Sequence, residues 1–276
     1  MPFSFVLQGY PQNDVPVAHV QGPMVQAMFL SLIQQVDPAL SQRLHDESSY
    51  RPYTLSPLGL VKENRDFQEY WLPRDQILQM GTPCYVRITF LDDGLFPTFN
   101  SYFLNRLEPT FRLGETAFAV TNILCGPDDS EGWGKYLSYA ELIDGALRHN
   151  RRQIKLRFFT PTSFSAGRID LPLPLPRLVF RSYKKRFEAF FQVAFLPDFE
   201  EQVEFHTGIS NLKAVHTEII RTKHVSLIGF TGTVTYEIHR DAPPELVFQM
   251  NLLADYAFFC GTGKKTTVGM GQTMRI

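Results

Sequence analysis

Cysteine is scarce in this chain of 276 residues: Cys84, Cys125 and Cys260 stand far apart, with no Cys-x-x-Cys pair and no Cys/His spacing. An odd, dispersed set excludes a disulfide framework and a structural zinc centre, and predicts a reducing, cytoplasmic setting. Net charge is nearly absent as well. At −1 overall the protein is not basic throughout, so any site for a polyanion has to be a local patch. Long apolar runs are missing, and none reaches membrane-spanning length. The N-terminal Met-Pro-Phe-Ser-Phe-Val-Leu-Gln has no basic start of a secretory signal, which predicts a soluble, untargeted protein with no membrane partner. There is no Gly-x-Ser-x-Gly elbow for a Ser-His-Asp hydrolase. No His/Asp/Glu cluster has ligand spacing, so neither a metal nor a cofactor is expected.

What is present is enough apolar residue, 44%, to bury a real core, on a length that suits two small domains. Phe3 to Gln8 reads as a strand. From Pro23, Val25, Met28, Phe29, Leu32, Ile33 and Val36 recur at helical spacing, and the pattern continues through Leu40 and Leu44 across Pro38. Tyr53 to Leu60 is strand-like, Cys84 to Leu91 alternates in strand fashion, Leu95 to Leu107 is a helix and Gly114 to Leu124 a strand. Strand, helix, strand, strand, helix, strand is the ferredoxin-like order. After the turn-rich Cys125-Gly-Pro-Asp-Asp-Ser-Glu-Gly the pattern restarts. Helices are expected at Tyr139 to Leu147, Leu178 to Phe191 and Pro243 to Phe259. Strands are expected at Ile154 to Phe159, Lys213 to Thr222, Val225 to Glu237 and Val268 to Arg275, with a turn at Lys223-His224 and a proline-rich crossing at Arg168 to Pro176. The fold class is therefore α+β, two ferredoxin-like (RRM-like) domains over 1–128 and 129–276, the second carrying a C-terminal glycine-rich loop.

That loop, Gly261-Thr-Gly-Lys-Lys-Thr-Thr-Val-Gly-Met-Gly271, interleaves Gly261, Gly263, Gly269 and Gly271 with Lys264 and Lys265. Glycine lets backbone N–H groups approach a bulky anion and lysine adds charge, so the loop suits phosphates; it also suits a plain turn between the last helix and the last strand. It is not a Walker loop, because Lys264 is followed by Lys265, nor a dinucleotide fingerprint, because Thr266 stands at the third glycine. Basic residues also dominate from Arg148 to Arg186. In the helix predicted there, Arg177, Arg181, Lys184, Lys185 and Arg186 lie among Phe180, Phe187, Phe190 and Phe191, while Asp198, Glu200, Glu201 and Glu204 follow at once. Such a run is a solvated helix face or a surface for RNA phosphates.

Taken with Gly229-Phe-Thr-Gly-Thr-Val and Leu173-Pro-Leu-Pro-Arg-Leu-Val-Phe-Arg-Ser, the terminal loop resembles the endoribonucleases of the RAMP superfamily that cut CRISPR precursor RNA within its repeats. Met28-Phe-Leu-Ser-Leu-Ile, Leu44-His-Asp and Arg51-Pro-Tyr-Thr-Leu-Ser-Pro-Leu extend the resemblance through the N-terminal half, so that it covers essentially the whole chain. It implies tandem ferredoxin-like domains and metal-independent cleavage by the ribose 2′-OH, leaving a 2′,3′-cyclic phosphate and a 5′-OH. It places a proton-transferring histidine at His45 and a phosphate-supporting cation at Arg51. Where some members carry an aromatic hydroxyl on the first helix, this chain has Leu30.

By residue type alone His45 is either a helix-end histidine favoured by the dipole or an acid-base group titrating near neutral pH. Arg51 is either a phosphate brace or an ordinary loop arginine. Tyr50 and Tyr53 are half-buried strand aromatics, or they supply the missing hydroxyl or stack on a base, and His19 is a capping or packing residue or a partner for His45. The reading that joins these features is an endoribonuclease specific for CRISPR repeat RNA. His45 and Arg51 act in catalysis, and Lys264, Lys265, the loop glycines, Arg177, Arg181, Lys184 and Lys185 bind RNA. Effector-complex subunits and a second copy of the chain are further expected partners. The alternatives are a non-cleaving RNA-binding subunit of the same superfamily and an unrelated ferredoxin-like small-molecule enzyme.

Overall fold

In the computed structural model, which describes residues 1–47, 50–61, 72, 75–128, 130, 132–191, 193–221 and 226–276, the contacts separate into two units. One is Met1–Tyr136 with Thr267–Gly269; the other is Leu137–Thr266 with Met270–Ile276.

The first unit runs β1 (Phe3–Pro11), α1 (Pro23–Gln34), α2 (Pro38–Asp46), β2 (Tyr53–Leu55), β3 (Cys84–Phe90), α3 (Leu95–Leu104), β4 (Thr110–Leu113) and β5 (Thr116–Leu124). Its sheet order is β2-β3-β1-β5-β4, antiparallel throughout. Set aside β4, a hairpin extension of β5, and the remaining order is that of the ferredoxin-like βαββαβ unit. β1 is central because it is apolar on both faces: Phe5, Val6 and Leu7 are all buried. The strand expected from Tyr53 to Leu60 is two short pieces, β2 and Gly59–Leu60, both paired with β3.

α1 starts with Pro23 at its first turn, where a missing N–H costs nothing. It buries Val25, Met28, Phe29, Leu32 and Ile33. Pro38 does not merely interrupt this pattern; it opens a separate helix, because the Asp37 side chain accepts from Leu40 N at 2.9 Å and caps α2. Val36, read as part of the apolar face, is exposed.

The alternation expected over Cys84 to Leu91 gives way to full burial of all seven residues of β3. The second face is covered because Arg87 lies 4.7 Å over the Trp133 ring and its Nε donates to Ser4 Oγ at 2.9 Å. A buried cation is tolerable only with such partners. Trp133 and the pair Lys135–Tyr136, which bonds β1, keep this stretch with the first unit.

The second unit runs α4 (Tyr139–His149), β6 (Gln153–Thr162), α5 (Pro176–Phe190), α6 (Phe199–His206), β7 (Thr207–Arg221), β8 (Ser226–Ile238), α7 (Pro244–Cys260) and β9 (Thr273–Arg275). The sheet order β7-β8-β6-β9 repeats the ferredoxin-like arrangement, with α4 added in front. A Ser138/Glu141 capping box starts α4. α7 is buried almost all round and forms the centre of this core. α6 was not anticipated from sequence. The turn expected at Lys223-His224 lies outside the described residues.

Within the proline-rich crossing, Phe164–Ala166 and Ile169–Leu171 form a short hairpin. Of the strand expected from Val268 to Arg275 only β9 exists; Thr266–Val268 is a 3-10 turn. β7 is an edge strand, paired among the described residues only with β8, and its register shifts between Ile209 and Asn211 and again between Lys213 and His216. No helix among the described residues is long and apolar enough to cross a membrane.

Candidate active site

His45 is in the last turn of α2, exposed, where the helix dipole favours a cation. Its Nδ1 lies 3.1 Å from Asp46 Oδ1, and Gln42 Nε2 donates to Asp46 Oδ2 at 2.7 Å. The hydrogen bonds from His45 and then Gln42 hold the Asp46 carboxyl below its ordinary range. An ionised carboxylate only accepts, so Nδ1 is the donor in this pair, and Nε2 has no hydrogen-bond partner among the described residues.

Arg51 closes the same helix end. Its Nε donates to Leu44 O at 3.1 Å and its Nη2 to His45 O at 3.0 Å, satisfying carbonyls that the last turn leaves unpaired. The two residues that sequence assigned to catalysis are thereby brought together, through the backbone of one and the side chain of the other. Asp46 and Gln42 were given no role from sequence. The i, i+4 spacing of Gln42 and Asp46 on a helix was the available signal.

Between α1 and α2 lies a groove of about 410 Å³, lined by Pro23, Gln26, Ala27, Leu30, Ser31, Gln34, Pro38, Ser41, Gln42 and His45. Leu30 is part of this lining, so no aromatic hydroxyl enters the groove from its position. Ser41 Oγ donates to Leu30 O at 2.9 Å. Tyr53 does not supply the hydroxyl: it is fully buried, burial pushes its phenol up, and its oxygen accepts from Gln26 Nε2 at 3.1 Å. Tyr50 is half-buried, and His19 is exposed at the end of the 3-10 turn Val17–His19. Among the described residues no group of three or more His, Cys, Asp and Glu side chains is placed to hold a metal.

In the second unit the basic helix is not the uncompensated patch that chain order suggests. The acids of α6 fold back onto α5. Arg177 pairs with Glu201 at 3.0 Å, with Glu200 at 3.8 Å and with Glu204, and Arg181 reaches Glu200 at 3.9 Å. The hydrogen bond that Arg177 donates to Glu204 raises the guanidinium further above its ordinary range. Lys184 bonds Glu188 at 2.9 Å. Lys185 is exposed, with no ion-pair partner among the described residues. Arg186 is buried, donating to Ser182 Oγ at 2.8 Å and to Gly263 O.

Arg186 therefore anchors the glycine-rich loop. Gly261, Gly263, Gly269 and Gly271 have φ of +62°, +73°, +102° and +73°. At two of them close approach also demands glycine: a Cβ on Gly263 would lie 2.3 Å from Ser163 O, and one on Gly271 would lie 2.0 Å from Thr262 O. Gly269, in the segment grouped with the first unit, faces Pro57.

Several loop N–H groups are satisfied internally. Thr262 N donates to Gly271 O at 2.8 Å, Gly263 N to Ser182 Oγ at 2.9 Å and Lys264 N to Ser163 O at 2.9 Å. Lys264 is paired with Asp170. Lys265 is exposed at φ +61°, with no ion-pair partner among the described residues, and is the loop's open cation.

The family model described as CRISPR Cas6 N-terminal domain matches residues 1–144, and that described as CRISPR-associated endoribonuclease Cas6 matches residues 156–273. A Thermus thermophilus Cas6 product complex is similar over 100% of both chains, at 24% identity and a TM-score of 0.80. A second Cas6 product complex, 25% identical, is covered over 100% of this chain and 99% of its own, with a TM-score of 0.75. A Cas6-related protein from Pyrococcus furiosus, 14% identical over 100% of this chain and 99% of its own, shares the fold with a TM-score of 0.62. No curated protein matches the chain.

Proposed function

Because this chain belongs to the CRISPR-associated endoribonuclease family Cas6, we propose that it cuts the repeats of CRISPR precursor RNA, in the cytoplasm, through attack of a ribose 2′-OH on the adjacent phosphate. The observation that carries the reading is His45 at the end of α2, with Nδ1 held by Asp46 and Nε2 left open beside the groove. An imidazole so held takes the 2′-OH proton or returns one to the departing 5′-oxygen, help worth about two to four orders of magnitude. The O2′–P bond forms as the P–O5′ bond breaks, giving a 2′,3′-cyclic phosphate and a 5′-OH without a metal or cofactor. Of the five N–H groups of Arg51, two hold the helix end and the others remain for the phosphate.

RNA is held by Lys265 and Lys185, which are exposed, and by Lys264, Arg177, Arg181 and Lys184 to the extent that phosphate displaces their carboxylate partners. That relatives have been solved as product complexes supports an RNA partner.

The test is a labelled repeat RNA incubated with the protein in excess chelator, with the ends mapped. Cleavage once per repeat, a cyclic phosphate, and no cleavage when the ribose 5′ to the cut is 2′-deoxy are expected. Cutting of the deoxy substrate eliminates the mechanism.

A further inference from the structure

Phosphate has little to hold it in the groove between α1 and α2. Apart from His45, no side chain lining its roughly 410 Å³ is ionisable. The lining is aliphatic at Pro23, Ala27 and Leu30, and polar mainly through the primary amides of Gln26, Gln34 and Gln42. Aliphatic walls with a few neutral donors and acceptors suit a flat, uncharged heterocycle with a hydrogen-bonding edge.

The amides are not equivalent. Gln42 Nε2 is committed to Asp46 at 2.7 Å, and Gln26 Nε2 to Tyr53 at 3.1 Å. The side chain of Gln34, exposed at the last position of α1, has no hydrogen bond to any described residue. Its carboxamide presents a donor and an acceptor side by side, the pattern that pairs with the N6 and N7 edge of adenine.

We propose that this groove is a nucleobase subsite that takes the base of a nucleotide flanking the cut, with Gln34 reading its edge. The proposal rests on the nuclease reading above, since it is His45 in the same lining that places the reacting phosphate beside the groove. The base enters unstacked, so the RNA is single-stranded or splayed at that nucleotide.

The experiment uses repeat RNAs that differ only in the base of one flanking nucleotide, each side in turn, with an abasic member in each series. For the wild-type protein, kcat/KM on one side of the cut should fall about tenfold or more from adenine to the abasic form, the size of one two-bond amide contact. Gln34→Ala should cut the members of that series at equal rates, with an unchanged melt. Ala27→Phe, which fills the groove, should do the same. Wild-type discrimination retained in Gln34→Ala, or no discrimination by the wild type on either side, overturns the subsite. The same series carrying a 2′-deoxy block, read as Kd by titration, keeps the question separate from catalysis. If the protein binds but does not cut, the nuclease reading fails, while loss of base preference in Gln34→Ala still supports the subsite and its persistence overturns it.

Discussion

Arg51 Nη2 donates to the backbone carbonyl of His45 at 3.0 Å, so the cation assigned to the phosphate is also the cap of the helix that carries the histidine. Spanning two carbonyls needs the planar fork of a guanidinium, which an ammonium does not reproduce. Arg51→Lys keeps the charge and loses the fork. We expect kcat to fall about tenfold and the melt to drop slightly, with repeat affinity retained. Wild-type kcat in Arg51→Lys would reduce Arg51 to a point charge.

His45→Ala should lose cleavage by about a hundredfold or more with little change in repeat affinity, which single-turnover kinetics and a titration separate. Unaltered turnover would leave His45 as a helix-end residue.

Asp46→Ala should cost less, and its mark should be spectroscopic: the His45 imidazole, held by Asp46 with its proton on Nδ1, should become a tautomeric mixture in nitrogen-resolved NMR. The Asp46 carboxyl titrates below its ordinary range because of His45 and Gln42. A carboxyl depressed on folding contributes its interaction above the unfolded pKa and loses it as pH falls through the folded one. The Asp46–His45 pairing should therefore persist across the neutral range and give way only on the acid side of ordinary carboxylates, which a pH series of the same spectra checks.

Lys265→Ala should weaken binding to all RNAs about equally and lower the slope of log affinity against log salt by about one, with the melt unchanged. Lys264→Ala should do less, because Lys264 already holds Asp170. Equal salt slopes in wild type and in a variant with both Lys264→Ala and Lys265→Ala would confine the loop to a turn.

Gly271→Ala should lower the melt by several degrees, since its Cβ would lie 2.0 Å from Thr262 O at a φ of +73°. A neutral melt would mean that the backbone crossing relaxes.

Much of the fold is legible in the residues because periodicity reports burial on one face. Val25, Met28, Phe29, Leu32 and Ile33 gave α1, and the element order gave both ferredoxin-like units. Where both faces are buried the signal fails: β3 hides Arg87 behind Trp133, and no alternation survives. Local patterns were also silent on what returns from elsewhere in the chain. Glu200, Glu201 and Glu204 belong to an unforeseen helix, and only the fold places them on Arg177 and Arg181. The helix-end pair fared similarly. His45 and Arg51 were singled out from residue type and motif, but the cap that joins them and the hydrogen bond to Asp46 depend on where α2 ends.

The irregular outer strand β7 has a consequence for how copies of this protein coexist at high concentration. A straight fifteen-residue edge would offer an unbroken row of donors and acceptors to any other strand, and Leu212 and Ile219 are exposed along it. Two register shifts and the left-handed Ala214, at φ +52°, break that row into short pieces, and the Lys213 side chain adds charge between them. Such breaks disfavour the zipping of a second chain along the edge, which works against sheet-to-sheet aggregation.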